Sequence, residues 1–292
     1  VQPESWWSDR PFRGSEAIRA GRLTRAELRG PAVRRVAYDT YVLASVPDTP
    51  RLAIRVAATW AGADAVITGW SACRWWGCEV LPAPDPAVEV SVPQRHRCPP
   101  PGVAVRRCRI RAVDLRHRGG VRVTSPLRTA YDLSCSEPLA DAVMAADALG
   151  RAWEFTGSGL EAIAGLVGPR RNCRRVTQVA HLMDPASESP RESRTRVRIV
   201  LAGLPVPVVQ YVVLDGRRFV ARVDLAWPEW KVALEYDGHD HALEDRRGHD
   251  VDRIDELRRL GWVVITVTSR QFARPGWIES RVHEELAARG AL

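Results

Sequence analysis

Phe219-Val220-Ala221-Arg222-Val223-Asp224-Leu225-Ala226-Trp227 leads through Pro228-Glu229-Trp230 into Lys231-Val232-Ala233-Leu234-Glu235-Tyr236-Asp237-Gly238. Both runs are rich in apolar and β-branched residues, and the turn signal between them marks a hairpin. Side chains alternate along a strand, so Glu235 and Asp237 share one face while Val232, Leu234 and Tyr236 share the other. Asp224 stands between the apolar Val223 and Leu225. A carboxylate in a core strand is costly unless it is paired or metal-bound. Hairpin pairing brings Asp224 and Glu235 near one another, and two such carboxylates repel. The repulsion either raises one pKa or recruits a cation, for which Mg²⁺ is the natural choice.

Reading outward, Arg191 to Ala202 is helical and Gly203 stops it. Val208 to Leu214 is a strand that precedes the two above. Leu243 to Leu260 is helical, Gly261 is its stop, Trp262 to Val267 is a further strand, and a last helix runs from about Trp277 to Arg289. The polar, turn-forming Asp184 to Pro190 marks the upstream boundary. Residues 186–292 thus read as a mixed sheet with flanking helices. Nine acids lie between Lys231 and Glu256 in a chain whose 43 basic residues exceed its 35 acidic ones. An acidic cluster inside a protein of net charge +8 offers oxygen ligands for a hard cation and basic walls for a phosphate substrate.

Residues 1–46 carry two short helical patterns, Ser15 to Ala20 and Thr24 to Leu28, around Gly21, with Ser15 and Thr24 as candidate N-caps. Glu27 stands three residues after Thr24, as a capping box requires. Val33 to Ala44 is extended or a hairpin. The outline is a reduced winged helix-turn-helix, and equally a solvated helical pair. Arg19, Arg22, Arg25, Arg29, Arg34 and Arg35 decorate it as candidate DNA contacts. Residues 47–185 read as an α+β domain. Its helices are Arg51 to Trp60, Ser71 to Trp76 and Pro126 to Leu133, with helical patterns continuing to Met183. Its strands are Ala87 to Val92, Val103 to Arg109 and Gly120 to Val123. From Val103 to Arg128 there are eight arginines and one acid, Asp114. Such a stripe tracks phosphates or simply covers a solvated sheet face. The fold class is therefore multi-domain α/β, more strictly α+β.

The six cysteines form no C-x-x-C pair and no zinc-finger spacing with histidine, so reduced thiols are the expectation. No segment approaches the uncharged ~20 residues of a membrane span. Val1, Gln2 and Pro3 start no charged-then-apolar leader, which points to the cytoplasm.

Glu192 on a helix, Asp224, then Glu235-Tyr236-Asp237-Gly238 with a following His241, and Arg253 and Leu257 before Gly261-Trp262, form an ordered set. In this set the chain resembles the small endonuclease-like domains related to very-short-patch-repair endonucleases, within the PD-(D/E)XK restriction-endonuclease-like superfamily. The resemblance covers about residues 188–272. It implies a central mixed sheet flanked by helices and metal-dependent hydrolysis of DNA phosphodiesters. It assigns Asp224 and Glu235 to Mg²⁺ or Mn²⁺, with Glu192 completing the ligation. It gives His241 the role of general base or of hydrogen-bond donor to the phosphate, with His239 as a substitute, and lets Asp237 hold a metal-bound water. Arg246, Arg247 and Arg253 bind backbone phosphates or the transition state. The superfamily's lysine two residues after the strand glutamate is replaced by Asp237. Lys231 shares the face of Glu235 but lies about 13 Å along the strand, too far to substitute.

Gly21-Arg22-Leu23-Thr24 with Leu28, and Val123-Thr124-Ser125-Pro126-Leu127-Arg128-Thr129-Ala130, resemble the N-terminal and companion domains of AbiEi-type antitoxins. That resemblance implies DNA-binding repression and a partner toxin.

Plainer readings compete with these roles. Glu192 can be a surface helix residue pairing with Arg196, His241 an exposed loop residue, and the acids at 250, 252, 255 and 256 a solvated face. Trp75, Trp76, Trp227 and Trp230 read as packing residues. Two principal functions follow: a Mg²⁺-dependent DNA endonuclease served by a toxin or repair partner, and a non-catalytic, antitoxin-like transcriptional repressor. The site chemistry itself does not separate DNA from RNA.

Overall fold

The computed structural model describes residues 10–82, 85–94, 98–168, 171–237 and 253–292. The chain forms two compact units, Val1–Ser136 and Glu137–Leu292. The boundary expected at 185–186 falls inside the second unit, because the helices before it pack with the helix after it. The class is mixed α/β, with mixed and antiparallel sheets flanked by helices.

The first unit opens with β1 (Phe12–Arg13), α1 (Gly14–Arg19), β2 (Val33–Ala37) and β3 (Thr40–Leu43), whose strands pair in the order β1-β3-β2. Ser15 does not cap α1. It lies within the helix, and its N–H and Oγ both donate to the Asp39 carboxylate at 2.8 and 2.5 Å. Thr24 and Glu27 do form the reciprocal box: Thr24 N–H donates to Glu27 at 2.7 Å and Glu27 N–H to Thr24 Oγ1 at 3.2 Å. Phe12, Ala17, Leu23 and Val33 are the small core beneath.

Next come α2 (Pro50–Ala61), β4 (Val66–Ile67), α3 (Gly69–Trp75), β5 (Val88–Val92), β6 (Val103–Arg107), β7 (Leu115–Arg118), β8 (Val121–Thr124) and α4 (Pro126–Ser136). The strands make one mixed sheet in the order β6-β5-β4-β8-β7. Thr49 caps α2 by accepting from Leu52 N–H at 3.1 Å, and Pro50 fills the first turn where a missing N–H costs nothing. Trp75 and Trp76 are buried, as packing residues should be.

The second unit begins with α5 (Leu139–Trp153), α6 (Gly157–Val167) and α7 (Arg174–Leu182), then α8 (Pro190–Leu201). α5 packs on α7 and α8. Arg196 of α8 reaches Asp147 of α5 at 2.6 Å with both side chains buried, and Asp147 also accepts Asp184 N–H at 2.7 Å. Burial pushes Asp147 up to about 6 even against the attraction of Arg196. Arg196 is thus committed to Asp147, and the surface pairing with Glu192 does not form.

β9 (Val208–Asp215), β10 (Arg218–Trp227), β11 (Val232–Asp237) and β12 (Val263–Thr268) form a four-stranded sheet in the order β12-β11-β10-β9. β9, β10 and β11 are antiparallel neighbours, and β12 runs parallel to β11. A parallel neighbour requires a crossover. The helix at residues 253–259 (α9) belongs to it, and α10 (Ser269–Phe272) and α11 (Trp277–Ala287) follow β12. One sheet face buries Leu225, Trp227, Leu234, Ile265 and Val267 with Ile199, Ile278 and Val282. The other buries Ala226 and Ala233 with Leu257 and Trp262. Lys231 is not the first residue of β11. It occupies the turn at φ +49° and donates its Nζ to Leu260 O at 3.0 Å.

Leu234 is 2% exposed on the middle of three paired strands. Leu234→Ala is expected to cost about 2–5 kcal/mol in urea unfolding. A cost under about 1 kcal/mol would contradict this packing.

Candidate functional site

The β10–β11 ladder pairs Trp227 with Val232, Ala226 with Ala233 and Leu225 with Leu234. One step further in this register places Asp224 across from Glu235. The β10–β11 ladder stops before that step, and the Asp224 carboxylate takes the next donor itself, accepting Tyr236 N–H at 2.8 Å. On the other side β9 pairs Val209 with Leu225 and Tyr211 with Val223, so Gln210 lies opposite Asp224.

Gln210 departs from strand geometry, with φ +52° in the left-handed region. A non-glycine residue held there inside a strand is strained by about 1–3 kcal/mol. The sidedness of both strands changes at this step. Val209, Leu225 and Trp227 enter one core, whereas Tyr211, Val213, Ala221 and Val223 belong to the other. Regular alternation would have kept Val223 and Leu225 together. The kink therefore sits at the pair Gln210 and Asp224.

Glu192 arrives from α8. Ser189 caps this helix by accepting Glu192 N–H at 3.2 Å, and Pro190 occupies its first turn. Glu192 is buried at 6% exposure in a helical first turn, where the peptide dipoles favour a negative charge. Its Oε2 accepts Glu188 N–H and Gln210 Nε2, each at 2.9 Å. The Gln210 amide also faces Asp224 and favours its ionised form, so it stands between the two carboxylates.

Glu235 is held from α9. Arg253 donates to both its oxygens, at 2.5 and 3.0 Å, in a bidentate pair. Asp224 feels all of this. Burial is the largest influence, followed by the negative charges of Glu192 and then Glu235. Together they outweigh the Gln210 hydrogen bond and the attraction of Arg253, and push Asp224 up to about 7. Among the described residues, Arg253 is the guanidinium that meets this cluster of acids, bound to Glu235 and attracting Asp224.

The structure brings together Glu192, Asp224, Glu235 and Arg253 of the residues expected from sequence. Asp237 ends β11 in register with Thr268, and only its backbone place is described. His239, His241, Arg246 and Arg247 lie outside the described residues. Gln210 is the residue that sequence reasoning missed. Its one signal was a polar side chain amid Val208-Val209 and Tyr211-Val212-Val213, at the register position of Asp224. Among the described residues, no three His, Cys, Asp or Glu side chains are grouped to hold a metal by themselves. Each of the three carboxylates here already accepts a hydrogen bond, Glu192 from Gln210, Glu235 from Arg253 and Asp224 from Tyr236 N–H.

In the first unit, Arg19, Arg22, Arg25, Arg29 and Arg35 are exposed. Arg34 is tied down, donating to Val46 O at 3.0 Å and to Asp48 at 2.6 Å. Among the described residues no helix is long and apolar enough to cross a membrane.

No protein-family model matches the chain. It is 28% identical over 174 residues to an uncharacterised protein of Mycobacterium tuberculosis strain CDC 1551 / Oshkosh. A match of the same identity and length is found to an uncharacterised protein of strain H37Rv. The matched stretch is 59% of this chain and 64% of each relative's length.

Folded Asp224, with its raised pKa, binds a proton more tightly than the unfolded chain does. The stability it allows is full below the ordinary aspartate value and is lost as pH rises from about 4 through about 7. Asp224→Asn removes that loss. It is expected to melt higher than wild type at pH 8, by roughly 2–4 °C for each kcal/mol of repulsion relieved, with the gap closing at pH 4. A lower melting point at pH 8 would show that the carboxylate is stabilising there.

Proposed function

We propose that the second unit is a Mg²⁺- or Mn²⁺-dependent endonuclease of the restriction-endonuclease-like type, acting on DNA phosphodiesters. The single observation that carries this reading is the half-buried Asp224 carboxylate, across the ladder from Glu235 and beside Glu192, whose pKa this crowding and burial push up. Evolution of a stable strand has no use for three acids around a strained backbone step, whereas a hard divalent cation needs oxygen ligands of this kind. The mixed sheet flanked by helices is compatible with that superfamily.

Glu192, Asp224 and Glu235 would hold the cation, which when bound supplies Lewis-acid polarisation and a more acidic water. Gln210 holds the Glu192 carboxylate and faces that of Asp224. Glu235 would have to share its oxygens between Arg253 and the cation, and the Arg253 guanidinium beside it would be placed to meet a phosphate. Hydrolysis adds water across the P–O bond. The water proton is accepted by a base, for which His241 is the candidate, and the leaving oxygen is protonated. Asp237 is the candidate holder of a further water, and Arg246 with Arg253 the candidate phosphate contacts. In the first unit, Arg19, Arg22, Arg25, Arg29, Arg34 and Arg35 would bind DNA as a reduced winged helix-turn-helix.

A second reading has its own observation. The Arg253–Glu235 pair and the Gln210–Glu192 hydrogen bond satisfy these acids without any ion, as a retained scaffold in a DNA-binding, antitoxin-like repressor would. A partner toxin or repair protein belongs to one reading or the other.

Incubating the protein with supercoiled DNA and Mg²⁺ or Mn²⁺ tests both readings. Metal-dependent nicking is expected, with a loss of at least about 100-fold in Asp224→Asn and in Glu235→Gln. No nicking by wild type, with salt-sensitive DNA binding equal in all three proteins, would select the repressor.

A further inference from the structure

A further group of arginines in the first unit lines a cavity. This cavity of about 550 Å³ opens between β1, the C-terminal half of α2 and the turn joining β7 to β8. Its charged lining is Arg10, Arg13, Arg22, Arg55 and Arg122 against a single acid, Glu16. Arg13 pairs with Glu16 and Asp39, and Arg122 with Asp64, yet five guanidinia around one space keep a positive potential that favours an anion.

The backbone is shaped to admit them. Gly120, at φ +81°, would place a Cβ 3.3 Å from Arg10 Nη1. Gly62, at φ +99°, would place one 3.5 Å from Arg13 Nη2. Side chains other than glycine are strained at both angles, and the two arginine ends lie within contact distance of these glycines. Arg13 also donates to Trp60 O at 2.9 Å and Arg122 to Ala63 O at 2.9 Å, which fixes two walls from the ends of α2 and β8. The Nε of Arg122 is buried with no hydrogen-bond partner among the described residues. A buried, unused guanidinium donor lining a basic cavity asks for an acceptor oxygen.

We propose that this cavity is a receptor for the phosphodiester backbone of a nucleic acid. Guanidinium pairs grip phosphate oxygens bidentately, and the volume suits one sugar-phosphate step with its neighbours. Of these five arginines only Arg22 is among those expected from sequence to meet DNA; Arg10, Arg13, Arg55 and Arg122 are added by the fold. The proposal rests on the nucleic-acid half of the reading above and is independent of cleavage.

Anisotropy of a fluorescein-labelled 20-base-pair duplex, titrated with the full chain in EDTA at 50–200 mM salt, isolates binding from cutting. Arg22→Gln/Arg55→Gln is expected to weaken binding at least about tenfold and to flatten the log–log salt slope by about two. Arg22→Lys/Arg55→Lys should restore the slope. Arg274→Gln/Arg281→Gln, the same charge change in the other unit, should leave it alone. If Arg22→Gln/Arg55→Gln loses its cooperative melt, Arg10→Gln/Arg22→Gln, with both positions exposed, carries the test. An unchanged slope in the pocket variant, or an equal loss in the control, would overturn the proposal. So would pyrophosphate binding, seen by calorimetry, that disappears in the pocket variant while duplex binding persists. That result would assign the cavity to a free phosphate compound. Duplex binding that persists in EDTA and fails in the pocket variant stands even if the protein never cuts.

Discussion

A half-buried carboxylate in a paired strand, with a second acid across the ladder and a third at a helix start, is the constraint around which the second unit is arranged. Asp224 cannot leave, because the strand carrying it supplies Leu225 and Trp227 to one core and Ala221 and Val223 to the other. The surrounding structure therefore adapts to it. Tyr236 N–H abandons a ladder partner for the carboxylate, Gln210 is held in a left-handed conformation, and Arg253 covers Glu235. The Gln210 conformation is unfavourable locally, and the two hydrogen-bonded adjustments beside it occur within a step or two of the same place in the sheet. Strain concentrated at one polar step is a reason to look for function there.

The helical layer keeps the third acid in place. Asp147 and Arg196 form a buried pair between α5 and α8, and Arg196 also donates to the Leu182 carbonyl. A buried pair of this kind contributes little net stability against apolar replacements, yet breaking it strands a charge. Its consequence here is positional. With Arg196 drawn to α5, Glu192 on the same helix turns toward the sheet and takes Gln210 as its donor. Arg198 repeats the arrangement on the far side, donating to Glu279 of α11 at 2.8 Å. α8 is thus pinned along its length by arginines, and its first turn is aimed at the strands.

Much of this was legible because strand periodicity and hairpin register are local properties. The alternation in 219–227 and 231–237 was enough to set Asp224 near Glu235, and the turn at 228–230 set the register. The helical reading of 191–202 and the capping box at Thr24 and Glu27 were legible for the same reason. What escaped depended on distant partners. Gln210 has no motif, and its conformation follows from the sheet kink. Glu192 looked as much like a surface residue as a buried one until Asp147 claimed Arg196. Ser15 resembled an N-cap, but Asp39, on the turn between β2 and β3, supplied stronger acceptors. The unit boundary at 136–137 was hidden because the packing of α5 on α8 leaves no local mark in the sequence. The arginine-lined cavity draws its walls from residues over a hundred positions apart.

If the three acids form a cation site, binding must expel the proton that Asp224 holds. Calorimetric titration of Mn²⁺ at pH 7, repeated in two buffers of different ionisation enthalpy, counts that proton directly. With Asp224 raised to about 7, roughly half a proton should be released per ion bound. The release should vanish at pH 8.5, and both release and binding should fall away in Asp224→Asn. Binding at pH 7 with no proton released, or binding that is indifferent to Asp224→Asn, would contradict a site built on this carboxylate.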